Sequence, residues 1–117
     1  MTGCSIADFF ELADQLPDVT RVDNGRYWRL AVSNRIFGYL WEPTSTVGLK
    51  ATIAEQLALT SERPETFEVQ FTSGGFGWVV VRLEGVERAE LAELTFEAWR
   101  LTAPIGLVEG RGDRLPH

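Results

Sequence analysis

Few residues in this chain combine the right type with the right spacing for catalysis. A thiolate nucleophile needs a base beside it. The one cysteine, Cys4, and the one histidine, His117, stand at opposite ends of the 117 residues. Zinc takes about four clustered Cys, His or acidic ligands, and no such set stands out. Glu90, Glu93 and Glu97 repeat at helical spacing, which is the pattern of a solvated helix face. Carboxylates that do acid–base work need contrasting environments in a shared pocket. Gly74-Gly75-Phe76-Gly77 lacks the GxGxxG spacing and runs into strand-forming residues, whereas a phosphate cradle leads into a helix N-terminus. It reads as a hairpin turn with Phe76 near its tip. Arg111-Gly112-Asp113 reads as a chance tripeptide in a polar tail. The expectation is a binding protein with no catalytic residue, no cofactor and no metal.

One constellation carries more content. If Trp28, Leu30, Val69, Val79 and Val81 face a helix layer, the two-residue period of strands sends Tyr27, Arg29, Lys50, Gln70, Trp78 and Arg82 to the other side. Arg35 joins them, and Arg26 lies in the same basic stretch. Cations interleaved with aromatics suit phosphate contacts plus base stacking. The same mixture suits a protein interface, where Trp, Tyr and Arg are enriched. It also suits an ordinary solvated face, with Arg stems lying over apolar surface. The candidate nucleic-acid-binding residues are Arg26, Arg29, Arg35, Lys50, Trp78 and Arg82. Phe37, Tyr39 and Trp41 share one face of their strand by period, with Ile36 and Leu40 on the other. Both sets are apolar, and the favoured reading puts the three aromatics in the core.

Charge bears on these choices. A net charge of -6 argues against a general polyanion binder, because phosphate neutralisation needs clustered Lys and Arg. The charge is segregated, however. Between Arg21 and Lys50 five cations stand against two acids, a net +3, while from Glu84 to Glu97 five Glu stand against Arg88, a net -4. An acidic protein can therefore present one basic side. Any nucleic-acid binding is expected to be weak and salt-sensitive.

These residues need elements to position them. Ser5 with Asp8 is a capping box, and Ile6, Phe9, Phe10, Ala13 and Leu16 fall on one helical stripe that Pro17 closes. Asp23-Asn24-Gly25 and Ser33-Asn34 are tight-turn signals within a β-meander, with strands over 26–32, 35–41 and 46–51. Thr52 with Glu55 is a second capping box, opening a helix that carries Ile53, Ala54 and Leu57 inward and ends before Pro64. Phe67, Val69 and Phe71 alternate with Glu68 and Gln70, a half-buried strand. After a turn over 72–77, residues 78–83 return as its partner. A last helix runs over about 87–102, with Leu91, Leu94, Ala98 and Leu101 as its stripe and Trp99 as an anchor. Residues 109–117 read as a flexible tail. Strands joined by two-residue turns pair antiparallel. The expected fold is one α+β domain of two layers, helices on one face of an antiparallel sheet.

The single cysteine excludes an internal disulfide and fits a reducing compartment. No apolar run approaches the roughly 18 residues of a membrane span, and no signal peptide is apparent. A cytoplasmic location without membrane contact is expected.

The stretch Arg63-Pro64-Glu65-Thr66-Phe67, the Gly-rich turn, Gly77-Trp78-Val79-Val80-Val81-Arg82-Leu83, Glu90-Leu91-Ala92-Glu93-Leu94 and Glu97-Ala98-Trp99-Arg100 together resemble the MmcQ/YjbR family. Arg35-Ile36-Phe37-Gly38-Tyr39 and Gly48-Leu49-Lys50 resemble its central strands. Where the family often has Gly-Lys at the opening of the first of these, this chain has Asn34-Arg35. The resemblance spans roughly residues 5–108. It implies an α+β fold similar to secretion chaperones, DNA binding through paired β-hairpin wings, and no common enzyme activity. The expected partner is DNA. The alternative is a second copy or another protein on the same sheet face.

Overall fold

The computed structural model describes residues 3–117. Helix α1 (Ile6–Asp14) opens with the expected box. The Asp8 N–H donates to Ser5 Oγ at 3.1 Å, and the Ser5 N–H donates back to the Asp8 carboxylate at 2.8 Å. Strands β1 (Val19–Asp23), β2 (Trp28–Val32), β3 (Arg35–Trp41) and β4 (Thr46–Thr52) follow as a meander. Helix α2 (Ile53–Glu62) comes next, then β5 (Phe67–Ser73), β6 (Phe76–Arg82), α3 (Arg88–Arg100) and α4 (Ile105–Arg111).

Local chemistry sets the turns. Asn24 Oδ1 accepts from the N–H groups of both Arg26 and Tyr27, and Asp23 Oδ1 from that of Gly25, so β1 folds back on β2. Strand β1 had no clear periodic signal in the sequence. Its exposed edge position relaxes the need for apolar alternation. Ser33 and Asn34 hold φ of 49° and 67°, and Gly74 and Gly75 hold 60° and 82°. Successive positive φ values match the twist of a two-residue hairpin. The second turn is therefore tighter than the expected span of 72–77, and Phe76 and Gly77 belong to β6. All six strands pair antiparallel in the order β1-β2-β3-β4-β6-β5. Helices α1, α2 and α3 cover one face, the expected two-layer α+β arrangement.

The core lies between these layers. Phe9, Leu30, Phe37, Leu40, Val47, Val81, Leu91 and Trp99 are fully enclosed in it. Trp99 anchors α3 as expected. Its ring stacks on Phe96 and its indole N–H donates to the Pro17 carbonyl at 3.0 Å.

Three sequence expectations are corrected. The register of β2 against β3 runs Leu30 to Gly38 and then Ala31 to Ile36, so Phe37 is an extra residue in a bulge. Phe37 goes to the core while Tyr39 and Trp41 go to the open face, because a bulge breaks strict alternation. In α2, Ile53 and Leu57 are exposed and Gln56 is the buried residue. The helix docks through Gln56 because the sheet beneath offers unpaired carbonyls to its amide. Thr52 accepts from the Glu55 N–H, one half of the box anticipated there. The tail is tied down rather than loose. Leu107 and Val108 of α4 pack on the core, Arg111 donates to the Gln15 carbonyl, and the Gln15 side chain exchanges two hydrogen bonds with the His117 backbone. Among the described residues no helix is long and apolar enough to cross a membrane.

Candidate nucleic-acid interface

The face of the sheet away from the helices carries a chain of touching aromatic rings. Tyr27 on the β1–β2 turn lies 5.7 Å from Tyr39 and 6.1 Å from Trp41, centroid to centroid. Tyr39 lies 5.9 Å from Trp41 and 5.5 Å from Trp78. Trp78 in turn stacks on Phe71 at 5.3 Å. The cluster thus runs from the first hairpin, across β3 and β6, to the outer strand β5.

Two bulges assemble it. The one at Phe37 places Tyr39 and Trp41 here. The other is at Gln70, where Val69 pairs with Val79 and Phe71 with Trp78. It moves Phe71 from the helix side to the open face, where it is 39% exposed. A bulge leaves ladder groups unpaired, and the helix layer supplies the remedy. The Gln56 side-chain amide donates to the Phe71 carbonyl at 3.1 Å and the Trp78 carbonyl at 2.9 Å. Gly77 makes room for this, since a Cβ there would lie 2.7–2.9 Å from the Gln56 side chain. Gly48 likewise accommodates the Gln70 amide, which crosses β6 to lie beside Trp41. The amide oxygen of Gln70 is buried without a hydrogen-bond partner.

The anticipated cations divide into two groups. Arg29 and Lys50 flank the aromatic cluster, and Arg35, at the β2–β3 hairpin end, is close enough to Lys50 for its charge to act there. Arg29 lies opposite Tyr39 in the ladder. Lys50 Nζ sits 4.1 Å from the centre of the Phe76 ring. Burial pushes the Lys50 pKa down, and the charge of Arg35 adds to the effect. Burial also raises the Tyr39 pKa, with Tyr27 adding and Arg29 opposing. Trp78 is the buried centre of the cluster at 7% exposure. Arg26 and Arg82 stand at the margins, each in a recess shared with carboxylates: Asp23 and Glu42 for Arg26, and Glu68 for Arg82.

Ion pairing separates the two faces. Arg21 pairs with Asp14, Arg63 with Glu90, Arg88 with Asp8 and Glu11, and Arg100 with Glu97. Among the described residues, Arg26, Arg29, Arg35, Lys50 and Arg82 form no ion pair. Arg111 and Arg114 also form none, but donate to backbone carbonyls of the C-terminal segment and of Gln15, so the cations with neither an acid nor a carbonyl partner among the described residues are those of the sheet strands and the β1–β2 turn.

Other chemistry-bearing residues are less suggestive. Cys4 is buried, its thiol donating to the Val86 carbonyl at 3.4 Å. Burial raises its pKa, and Asp8 contributes, so it is a poor nucleophile. His117 lies against Gln15, and among the described residues no three Cys, His, Asp or Glu gather to hold a metal. Sequence reasoning missed Tyr39, Trp41 and Phe71 as members of the face. The buried polar Gln56 in an otherwise ordinary helix was the signal that could have indicated a bulge beneath it.

Strands β2 to β6, which build this face, lie within the stretch that matches a known family. Residues 14–101 match the YjbR family. The chain belongs to that family. This YjbR chain is also similar to the crystal structure of the Deinococcus radiodurans protein DR2400, which carries the DUF419 domain. The TM-score is 0.73 at 19% sequence identity, covering 83% of this chain and 77% of that one. The likeness shows a shared α+β fold. No curated protein matches the chain.

Proposed function

We propose that this YjbR domain binds nucleic acid, weakly, along the open face of its sheet. One observation carries the reading. The cations around the aromatic cluster lack carboxylate partners, while Arg21, Arg63, Arg88 and Arg100 on the helix layer are paired and Arg111 and Arg114 donate to backbone carbonyls. Arg29, Arg35 and Lys50 take phosphates there, with Arg26 and Arg82 at the two margins. The aromatic rings offer surface to bases, and base–aromatic stacking tolerates any sequence. The domain acts by binding, without catalysis, and works in the cytoplasm.

A protein partner, either a second copy or another chain, is the second reading for the same face. The partial exposure of Phe71 at the β5 edge favours it. Salt separates the two. With about four phosphates contacted, the slope of log affinity against log salt is about -3, at roughly -0.7 per phosphate for a single strand. Fluorescence-anisotropy titration of a labelled DNA oligonucleotide at several salt concentrations measures it. Absence of binding at low salt would overturn the nucleic-acid reading. A slope near zero would favour apolar contacts of the kind a protein partner uses.

A further inference from the structure

At the β5–β6 end of the open face the aromatic cluster opens into a recess of about 510 Å³. Tyr39, Phe71, Phe76 and Trp78 line it, with Lys50 and the backbone of the Ser73-Gly74 turn. Its walls differ in character. Phe71 and Trp78 lie nearly parallel, with an interplanar angle of 29°, and Phe71 keeps much of its surface exposed. Lys50, the cross-strand neighbour of Trp78, holds its Nζ over the Phe76 ring. The turn closing the recess is formed by Gly74 and Gly75, and a Cβ on either would meet no other atom within 4 Å. The space beside both glycines is open, which leaves access for an occupant.

A flat apolar wall beside a cation without a carboxylate partner suits a planar aromatic ring carrying a nearby negative charge. The geometry points to a pocket for one unpaired base of a single strand, stacked on Phe71 beside Trp78, with an adjacent phosphate at Lys50 Nζ. The inference rests on the nucleic-acid reading of the face and specifies its ligand as single-stranded. In a duplex, base faces are already occupied by their neighbours, so the Phe71 wall has no ring to receive. The charged form of Lys50 is disfavoured by burial and by Arg35, and the negative charge of an arriving phosphate offsets both.

The test uses the full chain and two labelled probes, a twelve-residue single-stranded oligo-dT and a duplex of the same length. Wild type, Phe71→Ala and Phe71→Trp are titrated against both, with circular dichroism to establish that each is folded. Phe71 is on an edge strand and partly exposed, so Ala is tolerated there. Phe71→Ala weakens single-strand binding about tenfold, the usual effect of losing one base-stacking ring. It leaves duplex affinity and the salt slope unchanged, and Phe71→Trp restores single-strand binding. The pocket is overturned if Phe71→Ala binds the single strand as tightly as wild type, if both probes weaken equally, or if Phe71→Trp fails to restore binding. In all three cases wild type still binds and the broader reading stands. Wild type that binds neither probe overturns both.

Discussion

The two faces of the sheet treat the same residue types in opposite ways. On the helix side, the indole N–H groups of Trp28 and Trp99 donate to Glu42 and to the Pro17 carbonyl, and the neighbouring arginines are held by carboxylates. On the open side, Trp41 and Trp78 find no acceptor for their N–H among the described residues, and Arg29, Arg35 and Lys50 find no acid. Each side holds one buried polar atom without a partner, Thr95 Oγ1 in α3 and Gln70 Oε1 on the open face, so the contrast lies in the indole N–H groups and the arginines. The helix side is built for stability. The open side keeps its donors and charges available.

Acidic charge follows the same division. Glu55, Glu93, Glu97 and Asp113 line a groove between α2, α3 and the C-terminal segment. Burial and the charge of Glu97 raise the pKa of Glu55 there. The negative field therefore lies on the helix layer, away from the aromatic cluster. A net charge of -6 describes neither face.

The largest expected contrast is in tryptophan truncation. Trp99→Ala should lower stability by about 3–5 kcal/mol, the range for a fully buried aromatic. Trp41→Ala should cost about 1 kcal/mol, the middle of the range for point substitutions. Urea denaturation of both variants measures the gap, and equal losses would break the division between the faces.

Gln56→Ala probes the link between them. It leaves the Phe71 and Trp78 carbonyls without the side-chain donor that the bulge requires. The expected loss is about 2 kcal/mol, since an unsatisfied buried group costs roughly 1–3 kcal/mol. Single-strand affinity should fall with it as Phe71 loses its position. Full stability and affinity in this variant would show that Gln56 does not hold the bulge.

The smallest effect is on the helix side and depends on pH. Hydrogen bonds from Ser5, and then the Arg88 guanidinium, hold the Asp8 carboxyl below its usual pKa. A depressed folded pKa contributes stability above the ordinary carboxylate pKa. That contribution is lost as pH falls through the folded value. Asp8→Asn should therefore be less stable than wild type at neutral pH, and the difference should shrink as pH falls below the ordinary Asp value of about 4. A difference that is constant across the titration would assign Asp8 a role independent of its charge.

Much of the architecture was legible because it rests on local chemistry. Ser5 and Asp8 start α1 through their own hydrogen bonds. Ser33-Asn34 and Gly74-Gly75 turn the chain because they tolerate positive φ. Period two then placed Arg29, Lys50, Trp78 and Arg82 on one side. The bulges at Phe37 and Gln70 were not legible, because an extra residue is fixed by the register of the partner strand. Each reversed an aromatic assignment downstream of it, sending Tyr39, Trp41 and Phe71 to the open face. Helix α2 was misread for a related reason. Ile53 and Leu57 satisfied the apolar stripe, but the carbonyls freed by the bulge selected Gln56.

The central claim is that the unpaired cations of the open face, and no others, engage nucleic acid. Two double variants remove the same formal charge from the two sides. Arg29→Ala with Lys50→Ala takes it from the open face, and Arg63→Ala with Arg88→Ala from the helix layer. Anisotropy titration of both against the single-stranded oligonucleotide, across a series of salt concentrations, compares them with wild type. The open-face variant should flatten the salt slope by one to two units, at roughly -0.7 per phosphate lost, and keep its fold. The helix-layer variant should keep the wild-type slope and lose only stability. Equal changes in slope would contradict the account, because they would make binding a matter of total charge rather than of one face.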